Sequence, residues 1–123
     1  MKVLLSIRPE YVKQIFDGSK KYEFRRKSFK KKVNTILVYS TSPTKKVVGE
    51  ISFDNIISDT PEAIWDRCKS HAGISKIDFF NYYSGTEQAF AIEIKSFSEY
   101  ERPICLDEIR AGLRAPQSFI YLE

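Results

Sequence analysis

Between Phe16 and Tyr22 the hydrophobic pattern changes period, with a single glycine marking the join. Ahead of it, Pro9 is suited to the first turn of a helix, Val12, Ile15 and Phe16 fall on one side, and Asp17-Gly18 form its stop. Behind it, residues 21–26 alternate as a strand does. Glycine ends a helix in the left-handed conformation without steric cost. A helix and a strand joined this tightly place the stretch Gly18-Ser-Lys-Lys-Tyr-Glu-Phe-Arg25 at the junction of two elements. On the strand, Glu23 and Arg25 share one face and Tyr22 and Phe24 the other, so the rings can anchor a core while the charges look elsewhere.

Further strand patterns cover residues 2–7, 33–40, 46–57, 87–97 and 117–122. Val47, Gly49, Ile51 and Phe53 are assigned to one side of the fourth strand, with Gly49 marking a bulge or bend. Asp59-Thr60-Pro61 starts a second helix, with Gly73 as its end. Ser75 starts a third, with Asp78 at capping-box spacing, Ile77, Phe80 and Tyr83 inward, and Gly85 closing it. A short helical stretch at Leu106–Arg110 follows Arg102-Pro103. The order βαβββ-αα-β-α-β, with few residues between strands, predicts an α+β mixed barrel of about six strands with flanking helices, in one domain over residues 1–123.

Composition narrows the function classes. The chain has 123 residues and 42% hydrophobic content, enough for a core, and no apolar run near the ~20 residues of a membrane span. No membrane association is expected, and a cytoplasmic location is the default. Cys68 and Cys105 form no CxxC motif and read as reduced thiols, and His71 is the sole histidine, so no metal or other cofactor is expected. Residues 1–50 hold 13 Lys/Arg against 4 Asp/Glu, whereas residues 51–123 hold 7 against 12. This one-sided charge favours a polyanion partner, with Lys20, Lys21, Arg25, Arg26, Lys27 and Lys30-Lys31-Lys32 as a phosphate-facing patch.

The pattern GxKxxExR, carried by Gly18, Lys20, Glu23 and Arg25, resembles the signature of the ASCH domain, a branch of the PUA-like superfamily of small RNA-associated β-barrels. Ser6-Ile7-Arg8-Pro9, Tyr39-Ser40-Thr41-Ser42-Pro43 and Ala115-Pro116-Gln117-Ser118-Phe119 resemble other blocks of that family. The resemblance runs essentially end to end. It implies a PUA-like barrel holding RNA or a nucleotide in a basic cleft around the signature. Some relatives are amidohydrolases acting on N4-acetylcytidine, with a threonine at the position of Glu23, and others are assigned ribonuclease activity. A carboxylate at 23 removes the Thr–Lys nucleophilic route.

Candidate ligand-binding residues are therefore Arg8, Gly18, Lys20, Glu23, Arg25, Tyr39, Ser40, Gln117 and Ser118. Arg8 can take a phosphate bidentately, Tyr39 can stack on a base or pack in the core, Ser40 can bond phosphate, and the Gln117 amide can read a base edge. A structural Lys20–Glu23 ion pair is the plain alternative for those two. The leading expectation is a binding module for RNA or a nucleotide. The alternative is a small metal-independent hydrolase of RNA or a modified nucleoside, with Lys20 and Glu23 catalytic. A protein-interaction domain docking an acidic partner is a third possibility.

Overall fold

A computed structural model describes residues 1–123. The elements follow the order read from the sequence: β1 (Lys2–Ile7), α1 (Pro9–Phe16), β2 (Tyr22–Arg25), β3 (Thr35–Ser40), β4 (Lys46–Asp59), α2 (Pro61–Cys68), α3 (Lys76–Tyr82), β5 (Ala89–Ile104), α4 (Leu106–Ile109) and β6 (Phe119–Leu122). The six strands form one sheet in the order β2-β5-β4-β3-β1-β6. Only β1 and β3 run parallel, and α1 supplies part of their crossover.

That sheet curls. Laid flat, β2 and β1 would lie about 19 Å apart, four strand spacings away. Yet the Arg25 guanidinium on β2 donates to the Ser6 carbonyl on β1 at 3.3 Å. The two edge strands thus face each other across an open seam, giving a six-stranded half-barrel with four helices and the expected α+β class. Inside the curl lie Val3, Leu5, Ile7, Ile36, Val38, Ile51 and Ile92, with Val12 and Ile15 of α1. Burying each such side chain contributes about 1.5–3 kcal/mol. A second cluster joins Phe24 and Ala91 to Ile64, Cys68, Phe79 and Tyr83 under α2 and α3. A third, built on Leu4, Leu37, Tyr39, Val47 and Leu122, is covered by Leu106 and Ile109 of α4.

Four expectations need correction. Val47 and Ile51 do not share a face, because pairing with both neighbours shifts register between Val47 and Gly49. One extra residue in a strand inverts every later side chain. At Gly49 itself a Cβ would collide with the Ser98 carbonyl and the Phe16 ring, so the close approach requires glycine. The second helix stops at Cys68 and continues as a 3₁₀ turn, Lys69–His71, rather than reaching Gly73. On α3 it is Phe79 that is buried, while Ile77 is 74% exposed. The fifth strand runs on through Pro103 to Ile104, because β2 pairs only with its first part and leaves no partner needing the proline's missing N–H.

Helix caps appear where the sequence places them. Thr60 Oγ1 accepts from Ala63 N at 3.2 Å, and Ser75 Oγ accepts from Asp78 N at 3.1 Å. Both cysteines are free, and burial pushes the Cys68 thiol up to about 11. No helix is long and apolar enough to cross a membrane.

Candidate functional site

A cleft of about 1110 Å³ opens beside the signature stretch. Its walls come from the end of β1 and start of α1 (Ser6, Arg8, Tyr11), from Lys20 and the run Glu23 to Lys27, from α3 (Asp78, Asn81, Tyr82), and from Gln117 and Ser118 before β6. Segments more than 90 residues apart in sequence therefore meet there.

Lys20 is placed by backbone geometry. Gly18 turns at φ +86°, and Lys20 N then donates back to Gln14 O at 3.0 Å. The side chain drives inward until the residue is only 2% exposed. There Nζ donates to the Ala72 carbonyl and lies 4.9 Å from the Tyr11 ring centroid and 4.8 Å from that of Phe24. An ammonium has three N–H donors, and protein carbonyls satisfy one. Burial lowers the pKa of Lys20 from the usual lysine value, with Glu23 pulling it the other way. Gly73 completes the seat: at φ +66° it packs on the lysine stem, and a Cβ there would meet Lys20 Cβ and Cγ at 2.9 Å.

Glu23 pairs with Arg25 rather than with Lys20. Its Oε2 receives the Arg25 Nη1 at 3.0 Å, with side chains only 7% and 12% exposed. The same guanidinium donates to Ser6 O at 3.3 Å and, through Nη2, to Ser118 Oγ at 2.6 Å. Arg25 Nε is buried without a partner. Arg25 thus spans the seam as a clasp between β2 and the β1–β6 side. Ser6 Oγ in turn donates to Pro116 O at 2.7 Å, tying the segment before β6 to β1.

The rim differs from this floor. Arg8, Arg26 and Lys27 are exposed and belong to neither of the two ion pairs in the molecule. Tyr11 and Tyr82 line the wall, both with pKa raised chiefly by burial; nearby arginines, Arg8 and Arg25 respectively, oppose the shift. The exposed lining thus holds three cations, one acid (Asp78) and the Tyr82 ring, with Tyr11 half-buried, while the Lys20 amine and the Glu23 carboxylate paired to Arg25 lie buried beneath.

Of the residues singled out in the sequence, Arg8, Lys20, Glu23, Arg25, Gln117 and Ser118 all border this cleft. Gly18 shapes the turn without lining it. Tyr39 is 6% exposed within the third cluster, and Ser40 is buried beside a separate hollow with Lys13, Asp17 and Glu99. Neither reaches the cleft. Tyr11, Asp78 and Asn81 were not anticipated. Asp78 and Asn81 are three apart on one face of α3, and Tyr11 lies in the first turn of α1, three residues after its N-cap Arg8; that spacing is the signal the sequence offers.

Comparison with known proteins bears on the fold and the family. A protein of Zymomonas mobilis subsp. mobilis described as an ASCH domain-containing ribonuclease is 34% identical over 125 residues, covering 98% of this chain and 84% of its own length. Large ribosomal subunit protein uL22 of Ureaplasma parvum is 33% identical over 122 residues, and the chain spans 39% of that longer protein. The crystal structure of ASCH from Zymomonas mobilis superimposes with a TM-score of 0.90 at 33% identity, over 99% of this chain and 87% of that one. The sequence model of the ASCH domain matches residues 5–103, and the chain belongs to the ASCH domain family.

Proposed function

We propose that this protein binds RNA, seating one nucleotide in the cleft with its phosphates against the rim. The observation that carries this reading is one cleft that joins exposed cations (Arg8, Arg26, Lys27) and tyrosine rings (Tyr11, Tyr82) to a buried polar floor of Lys20 and Glu23. A nucleotide carries the matching groups: an anionic phosphate, a flat π-face and a base edge of donors and acceptors. Charge is costly to bury at the floor, whereas a neutral base edge can accept from Lys20 and face the Gln117 amide. The test is fluorescence polarisation with single-stranded RNA across a salt series. Arg8→Ala and Lys27→Ala should each weaken binding across all sequences and reduce the salt slope by about 0.7. Affinity indifferent to salt and to both changes would overturn the reading.

A second reading, hydrolysis of RNA, is favoured by the ribonuclease description of the Zymomonas relative together with the desolvated Lys20 amine. In this reading neutral Lys20 takes the proton of a ribose 2′-hydroxyl. The 2′-oxygen then bonds to phosphorus, the bond to the 5′-oxygen breaks, and that oxygen takes a proton from solvent. Glu23, held by Arg25, is the electrostatic partner of the resulting ammonium. Cleavage in the parent should fall 10²-fold or more, as for loss of a general base, in Lys20→Met. A 2′-deoxy substitution at the scissile nucleotide should block it. Equal turnover by Lys20→Met and Glu23→Gln proteins would remove these two residues from any such reaction. Amide hydrolysis of a modified nucleoside is the weaker form of this reading, since position 23 offers no hydroxyl nucleophile.

A further inference from the structure

From Phe24 to Gly49 the chain contains no acidic residue, and residues 26–32 alone carry Arg26, Lys27, Lys30, Lys31 and Lys32. A lysine run on a loop ordinarily points in many directions, held by nothing. Here the backbone is fixed. Phe29 wedges into the mouth of the curl, its ring 5.0 Å from that of Phe119 and 6.2 Å from that of Phe53. The Tyr121 hydroxyl accepts from two successive amides, Lys30 N at 2.7 Å and Lys31 N at 3.3 Å. Lys31 Nζ then sits 5.0 Å over the Tyr121 ring, and Asn34 N ends the loop on Met1 O at 3.1 Å.

These anchors lay the loop along β6, over the seam between the two edge strands. It begins at Arg26 and Lys27 on the cleft rim and passes the far end of β6 before entering β3. The five cations are exposed, and none joins an ion pair. An unneutralised row of like charge on an ordered backbone costs self-repulsion, and a bound polyanion relieves it.

We propose that residues 26–32 are a phosphate track, along which an RNA strand continues once one of its nucleotides occupies the cleft. The track rests on the RNA-binding reading and adds to it a substrate class: an oligonucleotide strand rather than a free nucleotide. Tyr121 is its positioning residue, since the phenol oxygen orders the loop without touching the strand.

The experiment compares a mononucleotide, a dinucleotide and an octanucleotide of RNA on the parent, on the Lys30→Gln/Lys31→Gln/Lys32→Gln protein and on Tyr121→Phe. In the parent, affinity should climb with length. In the triple variant octanucleotide affinity should fall roughly tenfold or more at low salt, and the salt slope should lessen by about 2, while mononucleotide affinity holds. Tyr121→Phe keeps the net charge and should lose octanucleotide affinity several-fold, with its salt slope unchanged. Length dependence identical in the parent and the triple variant overturns the track alone. Failure of every RNA to bind the parent overturns the track and the RNA reading together. Polyglutamate binding as tightly as RNA of equal charge would assign the strip to an acidic protein and overturn the track.

Discussion

Lys20 gains a single carbonyl and two aromatic faces in return for leaving water. Desolvation prevails over those contacts, so its folded-state pKa lies below the unfolded value of about 10.4. The linkage sign follows. Between the lowered value and about 10.4 the unfolded chain binds more protons, so this group makes the protein more stable as pH rises through that window. Several tyrosines act in the opposite sense above pH ~10, because burial raises their pKa and the unfolded chain then ionises first. Comparison with Lys20→Met separates the two. Urea unfolding from pH 7 to 10 should show the stability of the parent rising relative to Lys20→Met, and parallel curves would mean the amine is not desolvated. Gly73→Ala should act on the same lysine from behind. A positive φ and a 2.9 Å approach to the lysine stem predict a loss of at least about 1 kcal/mol, with displacement of Lys20 read from its side-chain NMR shifts.

Among the elements, the seam between β2 and β6 is the one place where backbone pairing does not close the sheet. Arg25 substitutes for it with bonds to Glu23, Ser6 and Ser118. Removing one partner of a buried pair leaves the other charge uncompensated, so Arg25→Ala should cost about 3 kcal/mol. Ser118→Ala, losing one charge-assisted bond at an exposed position, should cost nearer 1 kcal/mol. Both are read as shifts in urea midpoint, with faster amide exchange confined to β2 and β6. Equal, small effects would show that the loop over the seam, rather than the clasp, holds it. The elements also explain why Tyr39 and Ser40 were candidates. β3 is buried on both faces, from Ile36 to Ser40, so its apolar run carries no alternation from which to tell cleft from core. On β4 the face assignment failed for a different reason, because a bulge is invisible to period counting.

At the scale of the whole molecule, charge is sorted rather than merely unbalanced. The acid-free stretch from Phe24 to Gly49 includes Arg26 and Lys27 of the cleft rim and the loop over the seam, whereas the acidic residues of the second half lie mostly on β4, β5 and the helices. Binding of RNA should therefore weaken steeply with salt, and swapping rim charges should change association rate more than dissociation rate. Stopped-flow measurements on Arg8→Ala at two ionic strengths check this, and an association rate unchanged at both would show that the rim contacts the bound strand without steering it.

Local chemistry determined the kinds and order of elements here: a proline opening α1, a glycine closing it, capping hydroxyls at Thr60 and Ser75, and alternation along β2. Each of these depends on residues within a turn or two, so the amino-acid string carries it directly. It also placed Lys20, Glu23 and Arg25 together, because a helix stop and a strand start leave them no room to separate. Which of those charges stays free was decided elsewhere. Arg25 is committed to a serine 93 residues away, and Lys20 to a carbonyl 52 residues away. Such partners meet only when the sheet curls, and the curl is set by bulges and packing that no local window contains.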